Sequence, residues 1–97
     1  MKSPKKIEEI LKEHKKDLAE KFKVKEIGLF GSYVRGERRK RSDLDILVEF
    51  EEVPDLFRFI ELERHLEGIL GLKVDLVRKE ALRKELKDRI LSEVVNI

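Results

Sequence analysis

The chain is 97 residues long and lacks cysteine, and its 23 basic residues nearly balance 21 acidic ones, for a formal net charge of +2. This excludes disulfides, thiol catalysis and zinc–thiolate sites, and it is not the footprint of a protein whose whole surface binds nucleic acid. The length suits one small domain, 1–97, with a core near the lower limit for independent folding. No apolar run could span a bilayer, and MKSPKKIEEI has no signal-peptide core, so a soluble, cytoplasmic protein with no membrane contact is expected.

Although 45% of the residues are charged, the apolar ones recur periodically, as in a globular chain. Ser3 and Pro4 form a cap and first helical residue; behind them Ile7, Ile10, Leu11, His14, Leu18 and Phe22 recur at helical spacing. VKEIGLF (24–30) predicts a short strand that stops at Gly31. Ser32 to Arg35 fit one helical turn closed by Gly36, and ERRKRS (37–42) fits a charged loop. From Asp43 the pattern alternates strictly. Leu44, Ile46, Val48 and Phe50 share one face; Asp43, Asp45, Leu47 and Glu49 share the other. Val53-Pro54-Asp55 restarts a helix with Leu56, Phe59, Ile60, Leu66, Ile69 and Leu70 on its buried side, ended by Gly68 or Gly71. LKVDLV (72–77) alternates again, and a last helix carries Leu82, Leu86, Ile90 and Val94. The predicted order is α-β-α(short)-β-α-β-α. It describes an α+β, two-layer fold with a small mixed β-sheet flanked by helices.

The chemistry centres on three carboxylates and one turn. Asp43 and Asp45, one residue apart on a strand, point to the same side with Cα atoms ~7 Å apart. Their mutual repulsion favours a neutralising cation, and hard oxygen ligands on a rigid face suit Mg²⁺. Alternating acids are also common on solvent-facing strands, so the pair alone decides little. Asp75 lies on the polar face of a later strand whose register Val74 and Leu76 fix. If the two strands are neighbours, three acids converge and could hold two metal ions, with Asp75 placed to assist deprotonation of an acceptor. Gly31 lets backbone approach a ligand, the following turn points N–H groups at an anion, and Ser32 adds a hydroxyl donor. Arg35, one turn on, could reach the same phosphates or clamp the loop. Tyr33 fits packing against the sheet, with base stacking as the alternative. His14 and His65 have no partners at metal spacing, and Arg38, Arg39, Lys40 and Arg41 read as a solvated loop.

Taken together, GSYVRGERRKRSDLDILVEF (31–50) resembles the Gly-Ser…Asp-x-Asp signature of the DNA polymerase beta nucleotidyltransferase superfamily. More narrowly, it resembles the minimal nucleotidyltransferase (MNT) proteins. Gly31, Ser32, Tyr33, Arg35, Gly36, Ser42, Asp43 and Asp45 match that pattern, and KVDLV supplies the third acid, Asp75. Val34 departs from the usual alanine; its side chain is expected to pack underneath the turn. The resemblance covers essentially the whole chain and implies the polymerase beta-like nucleotidyltransferase fold over 1–97. It implies Asp43, Asp45 and Asp75 as catalytic and metal-binding residues for two Mg²⁺ ions. It also implies ATP as nucleotide donor, with Ser32 on the triphosphate beside Gly31 and Arg35.

Nucleotidyl transfer requires an acceptor hydroxyl held in line with the α-phosphate. Once the sheet and helices are assigned, no residues remain for an acceptor-binding domain, so the acceptor side of the site is expected from a partner. MNT proteins pair with a small helical HEPN RNase toxin as its antitoxin. The resemblance therefore implies AMP transfer from ATP to a tyrosine hydroxyl of such a partner. Two alternatives stay open: a module that neutralises its partner by contact alone, and a transferase for a small-molecule or RNA acceptor completed by a second subunit.

Overall fold

The computed structural model describes residues 3–31, 34 and 43–97. The predicted short helical turn and basic loop, including Ser32, Tyr33, Arg35, Gly36 and 38–42, lie outside the described residues. Helix α1 (Pro4–Phe22) starts as its sequence predicts: the Ser3 hydroxyl accepts from the Lys6 N–H at 3.2 Å, and Pro4 occupies the first turn. It ends at Lys23, whose left-handed conformation (φ 60°) turns the chain directly into strand β1 (Val24–Phe30). Strand β2 (Leu44–Phe50) returns antiparallel to β1, and helix α2 (Leu56–Leu70) follows. The Asp55 carboxylate caps α2 by accepting from the Arg58 N–H at 2.8 Å, and Gly71 closes it at φ 68°. Of the two glycines predicted to end this helix, Gly71 does so.

Strand β3 (Val74–Arg78) is parallel to β2, so α2 is a crossover helix. A short 3-10 turn at Lys79–Ala81 leads to helix α3 (Lys84–Glu93) and a two-residue strand β4 (Val95–Asn96) antiparallel to β1. The mixed sheet runs β3-β2-β1-β4, and among the described residues three α-helices accompany it. The expected α+β fold is the observed one. Strand β4 was not anticipated, because two residues are too few to show alternation. It also shortens the last helix: Leu82 precedes α3 and Val94 follows it, whereas both were expected within the helix.

The core lies on one face of the sheet. Ile27, Leu29, Leu44, Ile46, Val48, Phe50, Val74 and Leu76 meet Ile7, Leu11 and Leu18 of α1 and Leu62, Leu66 and Leu70 of α2. Val34 is half-buried against this cluster, as expected for a side chain packing underneath the turn. Two expectations for α2 fail. Leu56 is 69% exposed and Ile60 38% exposed, because both fall to one side of the helical stripe Phe59, Leu62, Leu66 and Leu70 that packs on the core. Leu47 keeps the face it was expected to share with Asp45 and Glu49, yet it is only 6% exposed. The segment around Leu91 and Val94 covers the second face at that point, beside Gly28 and Leu47. Gly28 shows how close this contact is: a Cβ there would lie 2.7 Å from Val94 Cγ2. Among the described residues, no helix is long and apolar enough to cross a membrane.

This burial separates two otherwise similar leucines on α2. Leu66→Ala should lower unfolding free energy by about 2–5 kcal/mol in chemical denaturation, whereas Leu56→Ala should stay within about 0.5 kcal/mol of wild type.

Candidate active site

The second face of the sheet carries the aspartates singled out in the sequence, and strand pairing decides which side chains meet there. Parallel pairing of β2 with β3 sets Asp45 directly beside Asp75, and antiparallel pairing with β1 sets Phe30 on the other side of Asp45. Neighbouring strands stand ~4.8 Å apart, so the two carboxylates rise from adjacent backbones at one level. Asp45 is half-buried and Asp75 exposed. Their positions follow from their flanks: Leu44 and Ile46, like Val74 and Leu76, are buried on the core face, which turns each intervening aspartate outward. Asp43 stands just before β2 and is exposed, and the next residue anchors the strand start through Leu44 N–H donating to Lys73 C=O at 2.9 Å.

Gly31 ends β1 at this same edge. Its φ is +81°, a conformation that L side chains rarely adopt. A Cβ at this position would also run into the Asp45 carboxylate, 2.9 Å from its Cγ. The positive φ therefore favours glycine here, and any side chain would also have to displace the Asp45 carboxylate. The Gly31 N–H donates to the Glu93 carboxylate at 3.3 Å, so the last residue of α3 reaches into the site. A shallow cleft opens between the end of β1 and α3, lined by Phe30, Gly31, Leu86, Arg89, Ile90 and Glu93.

The fold thus brings Gly31, Asp45 and Asp75 together, with Asp43 on the adjoining residue of the β2 entry. Ser32 and Arg35, the other expected phosphate contacts, lie outside the described residues. Glu93 and the cleft escaped sequence reasoning, since a glutamate ending a charged helix has no distinguishing pattern. Among the described residues, no three His, Asp or Glu side chains form a ready ligand cluster. The donor chemistry of Asp43, Asp45 and Asp75 nevertheless suits a hard divalent ion, which takes one or two carboxylates and completes its shell with water and phosphate oxygens. The far end of the same face is different in kind. There Lys79 Nζ pairs with Glu49 at 3.6 Å, so that acid is already matched by a cation. The two histidines are held in helices: His14 Nδ1 lies 2.8 Å from the Ile10 carbonyl, and the His65 ring packs 5.4 Å from that of Phe22.

A family model described as a nucleotidyltransferase domain matches residues 11–97. The protein adenylyltransferase MntA of Thermococcus cleftensis is 58% identical over 91 residues, which cover 94% of this chain and 92% of the relative. A solved toxin–antitoxin structure with AMP-PNP superposes at a TM-score of 0.72 with 28% identity, covering 93% of this chain and 70% of that one. The structure of a tri-AMPylated Shewanella oneidensis HEPN toxin in complex with MNT antitoxin gives a TM-score of 0.67 with 25% identity, over 93% of this chain and 70% of that one. A family model matched over 11–97 and a relative 58% identical over nearly its whole length are decisive: the chain belongs to the nucleotidyltransferase domain family.

Proposed function

We propose that this protein is a single minimal nucleotidyltransferase domain that moves AMP from ATP to a tyrosine hydroxyl of a helical HEPN-type RNase toxin, and so acts as its antitoxin. The observation that carries the reading is the lateral register of Asp45 and Asp75 beside Gly31, where a positive φ and the nearby Asp45 carboxylate disfavour a side chain. The MntA likeness supports protein adenylylation, and the AMP-PNP and tri-AMPylated complexes support ATP as donor and a HEPN toxin as acceptor.

In this mechanism Gly31 and Ser32 receive the triphosphate, with backbone close to the phosphates and a hydroxyl donor at the next residue. Arg35 supplies a fixed positive charge to the same oxygens. Asp43, Asp45 and Asp75 would hold Mg²⁺, up to two ions, which when bound neutralises charge on the triphosphate and the leaving pyrophosphate. Asp75 takes the proton of the acceptor hydroxyl as that oxygen bonds to the α-phosphorus and the bond to the pyrophosphate oxygen breaks. Tyrosine leaves as its AMP ester and pyrophosphate as the second product. The toxin brings the acceptor and orients it in line, which is where much of the rate arises. A cytoplasmic setting, where ATP and an RNase target coexist, fits the cysteine-free composition.

Incubation of the protein with its HEPN-type partner, ATP and Mg²⁺, followed by intact-mass measurement, should add AMP to the partner. Asp43→Asn combined with Asp45→Asn should reduce that addition by at least ~10²–10³-fold, the scale on which a positioned charge-stabilising group contributes. Neutralisation of the toxin that persists in the double variant and without ATP would overturn the reading in favour of inhibition by contact. Gly31→Ala makes a separate prediction. The imposed φ and the clash with Asp45 should cost about 1–3 kcal/mol of stability in a denaturant titration and weaken AMP-PNP binding measured by calorimetry.

A further inference from the structure

The Glu93 carboxylate occupies a place that the sheet itself leaves open. Strand β4 pairs with β1 in a register that sets Gly28 against Asn96 and Leu29 against Val95, and the Ile97 N–H donates to the Ile27 carbonyl at 2.9 Å. In an antiparallel ladder, alternate residues turn their backbone groups toward the same neighbour. Ile27, Leu29 and Gly31 therefore all face β4, and the same register continued outward sets Gly31 opposite Glu93. At Glu93, however, the chain is still helical and offers no extended backbone to continue the ladder. The Gly31 N–H would lose its partner there. The Glu93 side chain supplies the acceptor instead, at 3.3 Å.

We propose that Glu93 is a positioning residue for nucleotide binding. Its carboxylate replaces the missing backbone acceptor, fixes the last peptide of β1 and thereby sets the direction in which the chain enters Ser32. By the register of β1 with β4, this bond is made on the β4 side of β1, the side opposite to β2 and its aspartate. The second constraint on the same residue comes from Asp45, whose carboxylate leaves no room for a Cβ. Gly31 thus stands between a polar tether from α3 and the Asp45 side chain of β2, so close to the latter that an added Cβ would force it to shift. The tether also makes the C-terminal segment part of the site, since α3 and β4 must be docked for Glu93 to reach. The proposal rests on the reading that Gly31-Ser32 receives the triphosphate.

The test compares Glu93→Ala, Glu93→Asp and Glu93→Gln in the full chain. Alanine removes the acceptor and aspartate falls one methylene short, whereas glutamine keeps an oxygen in place. Titration with AMP-PNP and Mg²⁺ should show about tenfold weaker binding for the first two, equivalent to ~1.4 kcal/mol, and within about twofold of wild type for glutamine. In steady-state transfer from ATP the loss should appear in KM, with kcat nearly unchanged, because the tether serves the bound ground state and the transition state alike. The Gly31 amide, followed by hydrogen exchange, should exchange about tenfold faster in the alanine and aspartate variants and remain protected in the glutamine one. Faster exchange without weaker nucleotide binding would overturn the positioning role. Tighter binding in Glu93→Ala would also overturn it, since the carboxylate would then be a competitor for the phosphates. If Glu93→Ala fails to fold, the aspartate and glutamine pair decides the matter by the same readouts. Wild-type protein that binds no AMP-PNP would instead refute the nucleotide reading, while the exchange data would still report on the tether.

Discussion

The pairing of β2 with β3 is the constraint on which the site depends. Parallel neighbours need a crossover, and α2 provides it by burying Leu62, Leu66 and Leu70 against the face that β2 and β3 share. That burial fixes the register, because a slip by one residue would send Leu44, Ile46, Val74 and Leu76 into solvent and the aspartates into the core. The apolar side of the sheet therefore holds the acidic side in place. The cost of two neighbouring carboxylates is borne by packing on the opposite face, where no charge is involved. The same logic explains why the acids stand at the entry of β2 and β3 and not at mid-sheet. At the middle of the second face Leu91 and Val94 stand beside Gly28 and Leu47, so the aspartates border the sheet where the strands begin and not beneath that segment.

Two glutamates at helix ends extend this scaffold to the chain segments that border the site. Glu67, near the end of α2, accepts from the Val74 N–H at 3.0 Å, one residue before Asp75. Glu93, at the end of α3, accepts from the Gly31 N–H, one residue before Ser32. In each case a side-chain carboxylate satisfies a strand-end amide that no backbone partner reaches, and an unsatisfied amide would be costly. In each case the next residue is one to which the mechanism assigns a role. A small protein with few residues to spare uses helix ends to steady the parts of the sheet that other proteins could brace with additional loops.

The chemistry that follows is asymmetric. The described residues supply carboxylates and a side-chain-free turn, which suit the donor nucleotide and its cations, whereas the acceptor hydroxyl is assigned to a partner. The cleft between Phe30 and α3 borders the turn, with Leu86 exposed at its rim. The exposed apolar residues Val53, Leu56 and Phe57 lie elsewhere in the chain, just before and at the start of α2.

Much of this was legible in the residue pattern. Alternation alone determined that Asp45 and Asp75 would leave the core face, since each is flanked by apolar residues that must be buried. Ser3-Pro4, Asp55 and Gly71 marked helix ends through local hydrogen bonding and backbone preference, which act within a few residues and so can be read along the chain. What periodicity could not provide was the neighbourhood of each face. Leu47 belongs to the polar series by alternation yet is buried, because a segment more than forty residues later covers it. Leu56 and Ile60 belong to the apolar series yet stand in solvent, because the stripe of α2 that meets the core runs through Phe59, Leu62, Leu66 and Leu70 and leaves them to one side. The lateral match of Asp45 to Asp75, the wall that Asp45 presents to Gly31 and the reach of Glu93 likewise exist only once the strands are paired. Sequence determined which residues face the site; tertiary structure decided which of them meet, because contact between distant segments depends on register and helix placement that no local preference encodes.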